Sequence, residues 1–263
     1  MTSPWRRYLR DRMNERQRKS LVDFINRHSG NFLNRLLYGR ASYNQDGLAT
    51  VHSSAFMHEP RFADAYAQGA ATGSWSGDLH WRAHVYCWAA QRGMQLPGDF
   101  VECGVNRGGY ALTAMHYTGF RGSGKRFYLL DTYDDLPDHQ ISAAERTAGI
   151  HRGAYSPCLE AVQRTFAPFA PQSVIVQGVV PDTLERIDSE QIAFLSLDMN
   201  LRDPEIAAAE QLWDRLVSGA AMLLDDYGWR KHELQKRAFD EFAVRHGVPL
   251  LPLPTGQGLI LKP

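Results

Sequence analysis

From residue 98 onward the chain alternates between two textures, and this constrains its fold more than any other feature. Short runs rich in Val, Ile and Leu recur as DFVECGV, RFYLLDTY, SVIVQGVV, IAFLSLDM, AAMLLDDY, VPLLPLP and GLILKP. Between the first five lie stretches with helical spacing: GGYALTAMHY, SPCLEAVQRTFAPF, PDTLERIDSEQ and PEIAAAEQLWDRLVSG. HELQKRAFDEFAVRHG precedes the last two. Strands separated by helices cross over and lie parallel, and a parallel sheet needs both faces covered. The last two runs are joined only by Thr255-Gly256-Gln257. That is too short for a crossover, so they form an antiparallel hairpin. The expected fold is α/β: a doubly wound, Rossmann-like sheet of seven strands, mostly parallel, with the antiparallel pair at or near one edge.

Residues 1–95 are expected to be mostly helical, and to form a lid or to make substrate or oligomer contacts. Leu21, Phe24, Ile25, Phe32, Leu33, Leu36 and Leu37 follow the spacing of a helix with one buried face. Residues 1–40 hold ten Lys/Arg against three Asp/Glu, which suits a solvated face or the arm of a homo-oligomer. The division expected is therefore 1–95 and 96–263. Formal net charge is zero over 263 residues, so the basic footprint of a nucleic-acid binder is missing. Cys87, Cys103 and Cys158 are odd in number and lack CxxC spacing, which excludes a disulfide framework or thiolate metal site as an organising feature. No run is long enough to span a membrane and no secretory leader is recognisable. The expected location is the cytoplasm.

Ligands of open α/β sheets bind outside the carboxyl ends of the strands. Here four of the first five runs end in acids: Glu102, Asp131, Asp198, and the adjacent pair Asp225 and Asp226. The first turn, VECGVNRGGY, has Gly104, Gly108 and Gly109, which permit a tight strand-to-helix turn and close approach of a ligand. It is not GxGxxG, and an acid two residues before the first glycine repels a phosphate while suiting a cationic group. Asp131 lies 23 residues beyond Gly108, at the end of the next strand, where a carboxylate takes ribose hydroxyls. An adenosine ligand without phosphates and with a positive end fits both, and S-adenosylmethionine is such a ligand.

ECGVNRGG, DTYDDLP, LSLDMN and LLDDYG, in this order and spacing, resemble the macrocin O-methyltransferase (TylF-like) family. The resemblance covers roughly residues 95–246. It implies a seven-stranded methyltransferase fold and a metal-dependent, S-adenosylmethionine-using enzyme of bacterial natural-product pathways. The acceptor implied is a small molecule, a glycoside hydroxyl. Glu102, Gly104, Gly108, Asp131 and Asp198 would line the cofactor site. Asp198, Asp225 and Asp226 would hold Mg²⁺, with Asp198 also the base. Relatives often carry a second acid where this chain has Asn200, and many have Trp where it has Asn106.

A dication also makes electrostatic sense. Three carboxylates ~6 Å apart repel one another by roughly 3 kcal/mol per pair at an effective dielectric near 20. Magnesium prefers oxygen donors, and no His or Cys adjoins these acids in sequence. His139, after DTYDDLPD, and His232, after the DDYG turn, are rival bases to Asp198. Trp75, His80, Arg82 and His84 lie just before the sheet, as a lid over the cofactor would. Two other functions fit this outline less well: an NAD(P)-type oxidoreductase, and a non-catalytic binding protein that keeps the fold.

Overall fold

The computed structural model describes residue 17 and residues 41–75 and 77–263. The basic amphipathic segment expected within residues 1–40 lies outside the described residues. The chain divides into two compact units, Met1–Ala55 and Phe56–Pro263. In the first, β1 (Tyr43–Gln45) and β2 (Leu48–Thr50) form an antiparallel hairpin. Asp46 and Gly47 between them take left-handed backbone, φ 51° and 70°, as the twist of a two-residue hairpin requires. The helical expectation is wrong here, and Asp-Gly between strand formers is the signal that should have overridden it.

In the second unit, α1 (Pro60–Ala70) and α2 (His80–Gly93) precede the sheet. The seven strands are β3 (Asp99–Cys103), β4 (Phe127–Asp131), β5 (Ser173–Gln177), β6 (Ile192–Leu197), β7 (Leu216–Leu224), β8 (Leu250–Pro252) and β9 (Gly258–Leu261). They lie in the order β5-β4-β3-β6-β7-β9-β8. Pairing is parallel from β5 to β7, and β9 runs antiparallel between β7 and the edge strand β8. The sheet is the one expected. Its order reverses between β3 and β6, which opens the crevice for a ligand at their carboxyl ends.

The other helices are α3 (Gly109–Thr118), α4 (Ala143–Ala148), α5 (Leu159–Phe166), α6 (Arg202–Leu212) and α7 (Glu233–His246). Two helical expectations were too long. PDTLERIDSEQ supplies only a 3-10 turn, Leu184–Arg186, because its two apolar positions Leu184 and Ile187 make one turn of buried face. The LVSG that ends the fourth helical stretch belongs to β7. Arg215 ends that helix by donating to the Ile187 and Ser189 carbonyls, and the strand starts at Leu216. Helix α4 was not expected, although Ser142 and Glu145 form a complete capping box.

Strand alternation sorts the core into two layers. Phe100, Leu129, Phe194 and Leu223 face a cluster with Phe62, Ala83, Tyr86 and Ala90, so α1, α2 and α3 cover that face. Val101, Tyr128, Leu195, Met222 and Leu224 face Ala208, Leu212, Phe239 and Phe242, so α6 and α7 cover the other. Each such large side chain contributes about 1.5–3 kcal/mol of burial. The three cysteines are free and buried. Among the described residues no helix is long and apolar enough to cross a membrane.

Candidate functional site

The alternation decides where each strand-end acid points. Glu102 shares a face with Phe100 and therefore lies beneath α2. It is 1% exposed, and its Oε2 has no hydrogen-bond partner. Burial drives this carboxyl well above the usual range, the facing Tyr86 hydroxyl opposes, and Asp131 and Asp225 add to the push. An orphaned buried carboxyl is expensive, and a cationic ligand group would satisfy it.

The turn after Glu102 is packed to contact. Gly104, at φ 90°, has no room for a Cβ, which would stand 2.0 Å from the Asp198 carbonyl oxygen. Gly108, at φ 84°, abuts the Phe166 ring. These two glycines are thus required by close protein contacts. Helix α3 starts without a cap of its own. The Ser74 hydroxyl serves instead, accepting from the Gly109 N–H at 2.9 Å. One of the helix-start N–H groups that an anion would use is therefore already taken from within the protein.

Asp131 ends β4, as expected. Its Oδ2 accepts from the Val105 and Asn106 N–H groups at 2.6 and 2.7 Å, and its Oδ1 from the Tyr133 N–H at 2.6 Å and Thr132 Oγ1 at 3.2 Å. Three backbone N–H groups take up most of this carboxylate, and the single Thr132 hydroxyl proton has a nearer acceptor in the Asp134 carbonyl oxygen, at 3.0 Å. Asp131 thus joins the β3 turn to the end of β4 and keeps acceptor capacity on Oδ1 for a ribose hydroxyl. Burial raises its pKa and the three backbone donors oppose.

Strands β6 and β7 are neighbours, and they bring Asp198, Asp225 and Asp226 together with ligand atoms within 4.8 Å of one another. The adjacent pair still obeys the strand rule in its outer partners. Asp225 follows the α2 face: its Oδ2 is paired with Arg82, on the first turn of α2, and its Oδ1 accepts from Gln257 Nε2 at 2.9 Å. Asp226 turns toward α6 and α7, where His232 Nε2 stands 3.8 Å from its Oδ2. His232 Nδ1 meets Gln235 Oε1 at 2.5 Å, and Gln235 Nε2 donates to Glu205 Oε1 at 3.2 Å. Glu205 also accepts from the Met199 N–H at 2.9 Å, so this buried chain ties Asp226 to the loop that carries Asp198. Asp198 is the more exposed of the three. Withdrawal from water, then Asp225 and Asp226, push its pKa well up, while Arg82 pulls down.

Of the rival bases, His139 is exposed on a 3-10 turn, Asp138–Gln140. His232 is buried behind Asp226. The stretch considered as a lid divides its roles. His80 stacks on Tyr66 at 3.9 Å, His84 on Phe56 at 4.0 Å, and Trp75 on Tyr66 at 5.2 Å, whereas Arg82 enters the site.

Sequence reasoning missed Gln257, Glu205, Gln235 and Tyr155. Tyr155 Oη accepts from Asn200 Nδ2 at 3.0 Å, and its pKa is raised by burial, then by Asp198, Asp226 and Asp131. It therefore sits between the two groups of acids. One signal existed in part: Asn106, Tyr133 and Asn200, at φ 49°, 53° and 61°, all lie in loops that follow β3, β4 and β6. Left-handed non-glycine backbone gathers at functional sites, and Asn tolerates it best. A rim of oxygen donors beside a buried cation acceptor can hold a hard dication and orient a polar substrate.

The chain matches the macrocin-O-methyltransferase (TylF) family over residues 72–253. It is 28% identical over 171 residues to 8-demethyl-8-(2,3-dimethoxy-alpha-L-rhamnosyl)-tetracenomycin-C 4'-O-methyltransferase of Streptomyces olivaceus, covering 62% of this chain and 64% of that protein. The chain spans less than two thirds of the length of the curated relatives it matches. The O-methyltransferase NovP shares its fold with a TM-score of 0.60 at 22% identity, over 69% of this chain and 79% of that one. The SAH-bound methyltransferase PaMTH1 of Podospora anserina does so with a TM-score of 0.51 at 12% identity, over 95% and 97%.

Proposed function

The chain belongs to the macrocin-O-methyltransferase (TylF) family, and from that premise we propose that it methylates a hydroxyl of a sugar-bearing small molecule. The methyl donor is S-adenosylmethionine, and a magnesium ion sits at the strand-end carboxylates. The observation that carries this reading is the meeting of Asp198, Asp225 and Asp226 within 4.8 Å, one strand away from the orphaned Glu102.

The residues fit both groups. Glu102 Oε2 lacks a donor, which an ammonium would provide. The Ser74 hydroxyl at the start of α3 takes an N–H that a dinucleotide phosphate would need, which disfavours an oxidoreductase. The triad offers carboxylate oxygens only, the donor set of a hard dication. The sugar acceptor is supported by the rhamnosyl group in the name of the Streptomyces relative.

When bound, the cofactor would supply an electrophilic methyl group, and the dication a Lewis acid that eases deprotonation of a coordinated hydroxyl. Asp198, the most open of the three acids, would be the group placed to take that proton. Asp225 is held in place by Arg82 and Gln257. Tyr155 stays a phenol, and with Asn200 on its lone pair it keeps its own proton to orient the acceptor. Alignment of oxygen with methyl carbon then supplies much of the acceleration.

Calorimetry with S-adenosylhomocysteine, NAD and Mg²⁺ tests this reading. S-adenosylhomocysteine and Mg²⁺ should bind and NAD should not. Asp198→Asn should keep cofactor binding and lose methyl transfer to a panel of rhamnosides. Binding of NAD without S-adenosylhomocysteine would overturn it.

A further inference from the structure

The strand-end site already contains a positive charge. Arg82 pairs with Asp225 where both side chains are nearly withdrawn from water, at 12% and 5% exposed. It is boxed in. Gln257, fully buried, occupies the other oxygen of Asp225, and the Trp229 ring lies 5.1 Å from the guanidinium carbon. Thr255 Oγ1 donates to Gln257 Oε1 at 2.9 Å and so fixes the amide that faces Asp225. Arginine keeps its proton at any working pH, which makes this charge permanent.

With all three acids ionised, as metal ligands would be, three carboxylates and one guanidinium sum to minus two. We propose that Arg82 is a fixed counter-charge that matches the site to a single divalent cation and holds its affinity for that cation below what the bare carboxylates would give. This deepens the metal site proposed above and rests on it. Without Arg82 the three acids would repel one another unscreened in the metal-free protein. With it, one dication brings the site to neutrality, and a trivalent ion would overshoot.

The consequence is opposite to that of an ordinary supporting residue: removing Arg82 strengthens cation binding. The gain is larger for a trivalent ion, because Coulomb attraction to the extra negative charge scales with the ion's charge. Mn²⁺ is titrated by electron paramagnetic resonance, and Tb³⁺ by luminescence excited through nearby tryptophan, in the full chain. Arg82→Gln should tighten Mn²⁺ by about tenfold or more, and Tb³⁺ by a larger factor. Arg82→Lys, which keeps the charge but not the planar fork, should stay within about threefold of the parent for both ions. Gln257→Glu adds one negative charge from the other side of Asp225 with Arg82 intact, and should also tighten Mn²⁺. It serves where Arg82→Gln does not fold.

A folded Arg82→Gln or Gln257→Glu protein whose Mn²⁺ affinity is unchanged or weaker would overturn the counter-charge, and so would an Arg82→Lys protein that matches Arg82→Gln. A parent chain that takes up neither ion would instead remove the metal site itself. The two failures are distinct.

Discussion

Glu205 shows how much a single buried group can set. Burial, then Asp226, push its pKa up to about 8. A raised carboxyl favours the folded state when protonated. Its contribution is complete below the ordinary glutamate value of ~4.3 and disappears as pH climbs through 8. Glu205→Gln keeps an acceptor for Met199 and Gln235 but cannot ionise. Thermal melts in chelator should show the variant level with or below the parent near pH 5, and above it near pH 8.5. Asp131 acts as an acceptor for three backbone N–H groups. Asp131→Ala should cost about 1–3 kcal/mol by freeing buried N–H groups, read as a lower denaturant midpoint. Tyr155→Phe should leave the fold and cofactor binding intact and raise the KM for the acceptor.

At the scale of elements, α1 and α3 pack in direct contact at Gly69. A Cβ on Gly69 would stand 1.9 Å from Thr113 Oγ1 and 2.5 Å from the Gly109 carbonyl oxygen. The second of these is backbone, so no rotamer change relieves it. Gly69→Ala should therefore destabilise by about 1–3 kcal/mol despite its gain in helix propensity, again read by denaturant melts. The Ser74 hydroxyl at the α3 start shows how a cap can come from another segment. Periodicity makes α6 and α7 legible, because each has an apolar face that repeats in the sequence, whereas α3 is buried along its whole first two turns. The Ser142–Glu145 capping box of α4 was equally legible and was passed over. The helix expected in PDTLERIDSEQ came from polar residues that favour helices but bury too little to hold one.

At the scale of the whole molecule, ligands that bind only the folded state raise its stability by mass action. Saturation at 100 times Kd is worth about 2.7 kcal/mol. S-adenosylhomocysteine and Mg²⁺ together should raise the melting temperature, and chelator should reverse the part due to the ion. The sequence by itself determined the seven-stranded sheet, its terminal hairpin and the acids at its rim. Those depend on periodicity, loop length and residue type, all of which are local. It did not determine that Arg82 answers Asp225, that Gln257 reaches the same carboxylate, or that Asp131 gathers the backbone N–H groups of the turn beside it. Arg82 and Asp225 are 143 positions apart, and only the packing of α2 across the sheet brings the two charges together. Charge pairing depends on distance in space, which no periodicity encodes.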